Sequence, residues 1–290
     1  MGQRVYRTVV RGFVAAFTLL GLRFDVRGAE QVPRTGPAVL AINHTSYLDF
    51  ALVGFALRGQ GRLVRFMAKA STFDSAITGP AMRAMRHIPV DRAHGASAYR
   101  RAGRELAAGE VVGIFPEATI SRSWTLKPFK LGAATLTVEC DVPLLPVVVW
   151  GGHRVLTVDG RWSLCRGRSI LVEVGAPVRV RPGASPAQVN TELRRRLAEQ
   201  LEQVQRRYPD EPGTGEDRWW LPAHLGGRAP TPERAAVLDA EALARGTHRD
   251  RSRVERLGRT RRLPTPQNVG HDQPMIRVLT SWWRSPSRRP

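Results

Sequence analysis

Between residues 24 and 180, short apolar runs alternate with stretches of helical periodicity, the pattern of a sheet whose strands are joined by helices. Five consecutive apolar residues, Ala38 to Ile42, read as a strand buried on both faces, and 48–57 as the helix after it. A helix over 97–108 leads into a strand over 111–115, and a helix over 131–139 into a strand over 144–149. β-Branched alternation over 170–180 runs up to a Pro182-Gly183 break, and 186–208 predicts a long charged helix closing the domain. The expected fold class is α/β, a central sheet flanked by helices.

The two ends read differently. Arg4, Arg7 and Arg11 precede an uncharged stretch over 12–22, about 16 Å of helix and too short to cross a bilayer core. Arg23-Phe24-Asp25 is no cleavage site for a signal peptide. The segment 1–23 is therefore expected to be a membrane-interfacial helix, with a plain buried helix as the other option. After Pro209 the composition turns to Pro, Gly and Arg, with one helical patch over 232–244. Residues 24–209 are read as one domain and 210–290 as a basic, partly disordered tail that can wrap over it through Trp219-Trp220-Leu221. The aromatic, basic stretch 275–284, with Trp282 and Trp283, suits either a lipid interface or a loosely docked terminus.

Charge then narrows the partners. A net charge of +20 calls for phosphates, on an anionic membrane, a small substrate or nucleic acid. Only Lys69, Lys127 and Lys130 among the 45 cations are lysines, so the arginine bias can equally reflect coding. Cys140 and Cys165 are too few for a disulfide framework. No HExxH, P-loop or GxSxG pattern occurs, which removes the common metalloprotease, nucleotide-loop and nucleophile-elbow readings.

The chemistry concentrates where strands end. Asn43-His44-Thr45-Ser46-Tyr47-Leu48-Asp49 follows the 38–42 strand, so His44 should emerge at the strand's carboxyl end, where open α/β sheets bind ligands. Asp49, five residues on, can return to the imidazole, fix its tautomer and leave the other nitrogen free to take a proton. His87, four residues before Asp91, is the weaker rival base. Phe115-Pro116-Glu117-Ala118-Thr119-Ile120-Ser121-Arg122 also follows a strand and supplies a carboxylate, hydroxyls and a cation. Pro89-Val90-Asp91-Arg92 adds a second arginine, and Arg92 with Arg122 can grip a phosphate in the two-pronged guanidinium manner.

Asn-His-x4-Asp, Val-Asp-Arg, Phe-Pro-Glu-x-Thr and Val142-Pro143-Leu144-Leu145-Pro146-Val147, in this order over about 24–180, resemble the glycerolipid acyltransferase family, its lysophosphatidic acid (1-acylglycerol-3-phosphate) acyltransferases most of all. The resemblance implies an α/β fold with a membrane-dipping helical element. It implies acyl-CoA or acyl-carrier-protein as donor, a lysophospholipid as acceptor, His44 as base and Asp49 as its orienting acid. Arg92 and the loop of Glu117, Thr119 and Arg122 would bind the phosphorylated acceptor. Family members usually carry Gly where this chain has Ala118 and often Arg where it has Ile120. Arg122 then stands in for the missing arginine, and a lysolipid or glycolipid with another head group becomes a credible acceptor.

The expected activity is therefore direct acyl transfer for phospholipid biosynthesis, without metal or tightly bound cofactor. The expected place is the cytoplasmic face of the cell membrane, peripheral or monotopic, with an anionic surface as partner and no nucleic acid. The rivals are a hydrolase passing the acyl group to water and a non-catalytic basic protein on membrane or nucleic acid.

Overall fold

The computed structural model describes residues 2–76, 78–91, 95–213 and 217–244. Arg92 and the stretch 275–284 with Trp282 and Trp283 lie outside them. In chain order the elements are α1 (Gly2–Leu19), β1 (Arg23–Arg27), β2 (Ala38–Ile42), α2 (Asp49–Ala56), β3 (Val64–Lys69), α3 (Thr78–Ala84), β4 (Ile88–Val90), α4 (Gly95–Ala107), β5 (Val111–Ile114), α5 (Gly132–Cys140), β6 (Leu144–Trp150), β7 (Ser169–Val174) and α6 (Pro186–Arg206). Positions 232–244 are helical.

Seven strands form one sheet in the order β1-β7-β6-β2-β5-β3-β4. All neighbours pair in parallel except β6 and β7. β2 sits between β5 and β6, which is why its five residues are all apolar and all buried. Alternation divides the two faces. Leu40 and Ile42 point to the side covered by Phe17 of α1 and Leu52 of α2, whereas Val39 and Ala41 point to Ala98, Leu106 and Leu136 of α4 and α5. The antiparallel β7 returns the chain to β1, so the first strand pairs with the last.

α1 turns its apolar stripe inward. Tyr6 and Phe17 are buried, Phe13 is half-buried, and the Tyr6 hydroxyl donates to the Val64 carbonyl at 3.0 Å. Outward it presents Arg4, Arg7, Thr8, Arg11, Ala15, Thr18 and Leu19. Of the two options for this segment, core packing therefore occupies the apolar side, and a cationic stripe faces away. Among the described residues no helix is long and apolar enough to cross a membrane.

Packing continues past Pro209. The Asp210 carboxylate accepts from Ser169 N at 3.0 Å and Ser169 Oγ at 2.6 Å, and it pairs with the buried Arg154 at 2.9 Å. Trp220 is among the largest fully buried side chains, and the carbonyl of Trp219 receives the Trp124 indole N–H at 2.9 Å.

Candidate active site

β2 delivers its last residues to the carboxyl edge of the sheet. The Asn43 amide grips the neighbouring strand there, donating to the Val149 carbonyl at 3.1 Å while its Oδ1 accepts from Val149 N at 2.7 Å. The chain then turns sharply and α2 starts at Asp49. Asp49 is fully buried, and its Oδ2 collects three donors: Thr45 N at 2.8 Å, Ser46 N at 2.8 Å and His44 Nδ1 at 3.0 Å. An oxygen holding two backbone N–H groups is a fixed acceptor, so the imidazole proton is placed on Nδ1 and Nε2 keeps its lone pair. The ring lies against Phe115, with centroids 4.2 Å apart and an angle of 26°. The side chain of His44 stays 20% exposed while its partner is sealed, which suits a base that must meet substrate.

The loop after β5 clasps the His44 peptide from both sides. Glu117 Oε1 accepts from His44 N at 2.9 Å, and the His44 carbonyl accepts from Ser121 N at 2.8 Å. The other Glu117 oxygen takes Lys127 N, also at 2.9 Å. Burial pushes the Glu117 carboxyl up to about 8, against the pull of the Lys127 and His44 backbone N–H groups and of the Lys127 ammonium. With both oxygens bound to backbone, Glu117 holds the loop to the base. Ala118, next in the chain, sits at φ +62, the left-handed region that favours glycine.

The remaining site residues are placed as follows. The Thr119 hydroxyl accepts from Lys127 Nζ at 2.5 Å, so this lysine belongs to the site. Arg122 is turned to Asp159, bonding through its Nε at 3.2 Å and a terminal nitrogen at 2.9 Å. Lys69 ends β3 and is exposed at the same carboxyl edge, since Phe66 pairs with Gly113 as Ala41 pairs with Ile114. The backbone N–H groups of His44, Thr45, Ser46, Ala118 and Ser121 are all engaged within the protein.

His87 does not join this cluster. It lies beyond the Phe115 and Phe66 rings, accepts from Phe66 N at 3.1 Å, and is pushed down to about 4 by burial and the Arg65 charge. It lines an open apolar cleft between α1 and α2, whose walls include Tyr6, Val10, Phe13, Phe50 and Gly54. The cleft runs beside the helix that begins at Asp49.

Residues 23–150 match the model of the family described as Acyltransferase. The chain is similar to the chloroplastic 1-acyl-sn-glycerol-3-phosphate acyltransferase BAT2 of Brassica napus, 28% identical over 184 residues, 62% of this chain and 51% of that one. It is 30% identical to the 1-acyl-sn-glycerol-3-phosphate acyltransferase of Bacillus subtilis (strain 168) over 163 residues, 55% of this chain and 77% of that one. Against the alpha enzyme of the same name from Homo sapiens, identity is 34% over 135 residues, 45% of this chain and 47% of that one. The chain thus spans about half the length of several curated relatives it matches. The crystal structure of the acyltransferase PlsC from Thermotoga maritima shares the fold, with a TM-score of 0.63 at 22% identity, covering 72% of this chain and 83% of that one.

Proposed function

This chain belongs to the acyltransferase family, and from that premise we propose that it transfers a fatty acyl group from acyl-CoA or acyl-carrier-protein to the free hydroxyl of a lysophospholipid. The observation that carries the reading is the His44–Asp49 pair, a partly exposed imidazole whose tautomer is set by a buried acid at 3.0 Å. Nε2 takes the proton of the acceptor hydroxyl as that oxygen attacks the thioester carbonyl. A C–O bond forms, the C–S bond breaks, and the imidazolium returns its proton to the departing thiolate. No acyl-enzyme is required, because a thioester is already activated.

The relatives named 1-acyl-sn-glycerol-3-phosphate acyltransferase favour 1-acylglycerol-3-phosphate as acceptor and phosphatidic acid as product. Cations for its phosphate are Arg92, Arg122 once released from Asp159, and Lys69 at the sheet edge. Thr119 and Lys127 lie on the same loop as Glu117 and complete the acceptor side. The protein works peripherally, on the anionic cytoplasmic face of a membrane.

The test is product analysis by mass spectrometry, with acyl-CoA offered to the purified chain with and without a panel of lysolipids. Thiol release that depends on an added lysophospholipid, with the diacyl product formed in step, supports the reading. Equal thiol release without any lysolipid would make it a hydrolase.

A further inference from the structure

Residues 155–163 fold back on themselves as a small hairpin. Ser163 N donates to the Val155 carbonyl, Thr157 N to the Arg161 carbonyl, and Leu156 bridges Trp162. Asp159 and Gly160 at the tip have φ of +61 and +70, the two left-handed positions of a tight type I′ turn, so the tip is stiff. Strand alternation then separates two faces. On the inner one, the Arg161 guanidinium lies 4.7 Å over the Trp219 ring. On the outer one, Trp162 and Leu164 are 68% and 65% exposed.

Single exposed apolar residues are ordinary, but these two have company. Leu19 is 74% exposed, and the turn after it meets the hairpin's C-terminal base, where Gly167 N donates to the Leu20 carbonyl. The surroundings are cationic. Arg166 is exposed at the hairpin base, and along the outward side of α1 the nearest arginine, Arg11, lies about 12 Å from Leu19, with Arg7 and Arg4 farther on. The apolar stripe of α1 is already taken by the core, so a bilayer would find its apolar anchor elsewhere.

We propose that the outer face of this hairpin, Trp162 and Leu164 with Leu19, is the surface through which the protein inserts into an anionic lipid interface. Tryptophan favours the headgroup level, and the arginines meet the lipid phosphates around it. The hairpin is also tied to the catalytic loop. Ser46 Oγ donates to the Leu156 carbonyl at 2.6 Å, Thr157 Oγ1 to the Thr45 carbonyl at 2.7 Å, and Arg122 holds Asp159 at the tip. Tyr47, 54% exposed, follows directly after Ser46. Docking on this face sets the His44 loop close to the bilayer surface, where a lysophospholipid head group lies. The choice of lipid rests on the acyltransferase reading; the surface itself does not.

The test uses the full chain with vesicles of phosphatidylglycerol and phosphatidylcholine, measured by flotation. The double variant Trp162→Ser/Leu164→Ser should bind at least about tenfold more weakly, because two apolar groups leave the interface. Its acyl transfer to vesicle-borne lysophosphatidic acid should fall in parallel, while transfer to a dispersed short-chain acceptor stays at the wild-type rate. Trp162→Phe should keep binding and lose most of the quenching of protein fluorescence by brominated lipid. Vesicle binding by the double variant equal to wild type would overturn the proposal, as would undiminished quenching in Trp162→Phe. Unchanged vesicle binding with a dimer turned monomer would reassign the face to a second copy of this chain. Should the wild type transfer no acyl group to any acceptor, the functional reading fails while flotation still decides the hairpin.

Discussion

Asp49 Oδ2 lies 3.0 Å from His44 Nδ1 and at the same time accepts the backbone N–H groups of Thr45 and Ser46, so one buried oxygen shapes the loop and sets the tautomer of the base. His44→Ala should reduce turnover by about 10²–10⁴-fold, the usual worth of a general base, with little loss of stability. Asp49→Asn should lose much of the same factor and also destabilise the fold, because an amide nitrogen facing two N–H groups repels them. Steady-state kinetics with thermal melts checks both, and wild-type turnover in His44→Ala would falsify the mechanism.

Ala118 is held at φ +62 between Glu117 and Thr119. The left-handed conformation costs a non-glycine residue about 1–2 kcal/mol. Glycine removes that cost but gives back about 0.4–1 kcal/mol through its freer unfolded chain. Ala118→Gly should therefore stabilise the protein by about 0.5–1 kcal/mol, and Ala118→Val should destabilise it. Chemical denaturation of the three proteins gives the order directly.

His87 is pushed down to about 4 by burial and by Arg65, and His153 to about 3 by burial among Trp124 and Trp150. Both are neutral in the native protein at pH values where the unfolded chain protonates them at about 6.5. Their contribution is whole above 6.5 and is lost as the pH falls toward 4 and then 3. For His87 alone the loss is about 3 kcal/mol. His87→Leu should be less stable than wild type at pH 7, through the orphaned Phe66 N–H, and the gap should narrow as the pH drops to about 4.5. A gap that stays constant with pH would show that His87 does not titrate as described.

The Arg122–Asp159 pair gives a direct test of the acceptor side. A charged hydrogen bond to phosphate is worth about 1.5–3 kcal/mol, so Arg122→Ala should raise the acceptor KM roughly ten- to a hundredfold and leave the donor KM unchanged. Asp159→Ala releases the guanidinium and should lower the acceptor KM. Lysine should replace Arg122 poorly, since a point charge lacks the two-pronged geometry. Unaltered acceptor kinetics in all three variants would leave the pair as a joint between loop and hairpin.

Much of this was legible in the sequence because it depends on local periodicity. The buried strands β2, β5 and β6 and the helices α4, α5 and α6 lie within a few residues of where the hydrophobic pattern puts them. β3 was hidden by Arg65, a charge in mid-strand whose partner Glu110 is 45 residues away. β1 was hidden by alternating charge at an edge. His44 and Asp49 could be paired because a short loop joins them and the neighbouring motifs keep them company at one sheet edge. The clasp of Glu117 and Ser121 on the His44 peptide could not, because it joins two loops that only the parallel pairing of β2 and β5 brings together. The tail's wrap through Trp219 was expected from the sequence, but its partner Trp124 and the Lys127–Thr119 bond were not, for the same reason.

The parallel pairing of β1 with β7 sets a schedule for biosynthesis. Arg23 leaves the ribosome roughly 150 residues before its partner Ser169. At about 5–20 residues per second, the first strand waits on the order of 10–30 s for the edge it must join. Throughout that interval the edge of β1 that β7 will pair with stays open, although Phe24, Phe17 and Phe55 can already pack together once α2 has emerged. The nascent chain therefore carries an unpaired strand edge, open to other strands, until almost three-fifths of the sequence has been made.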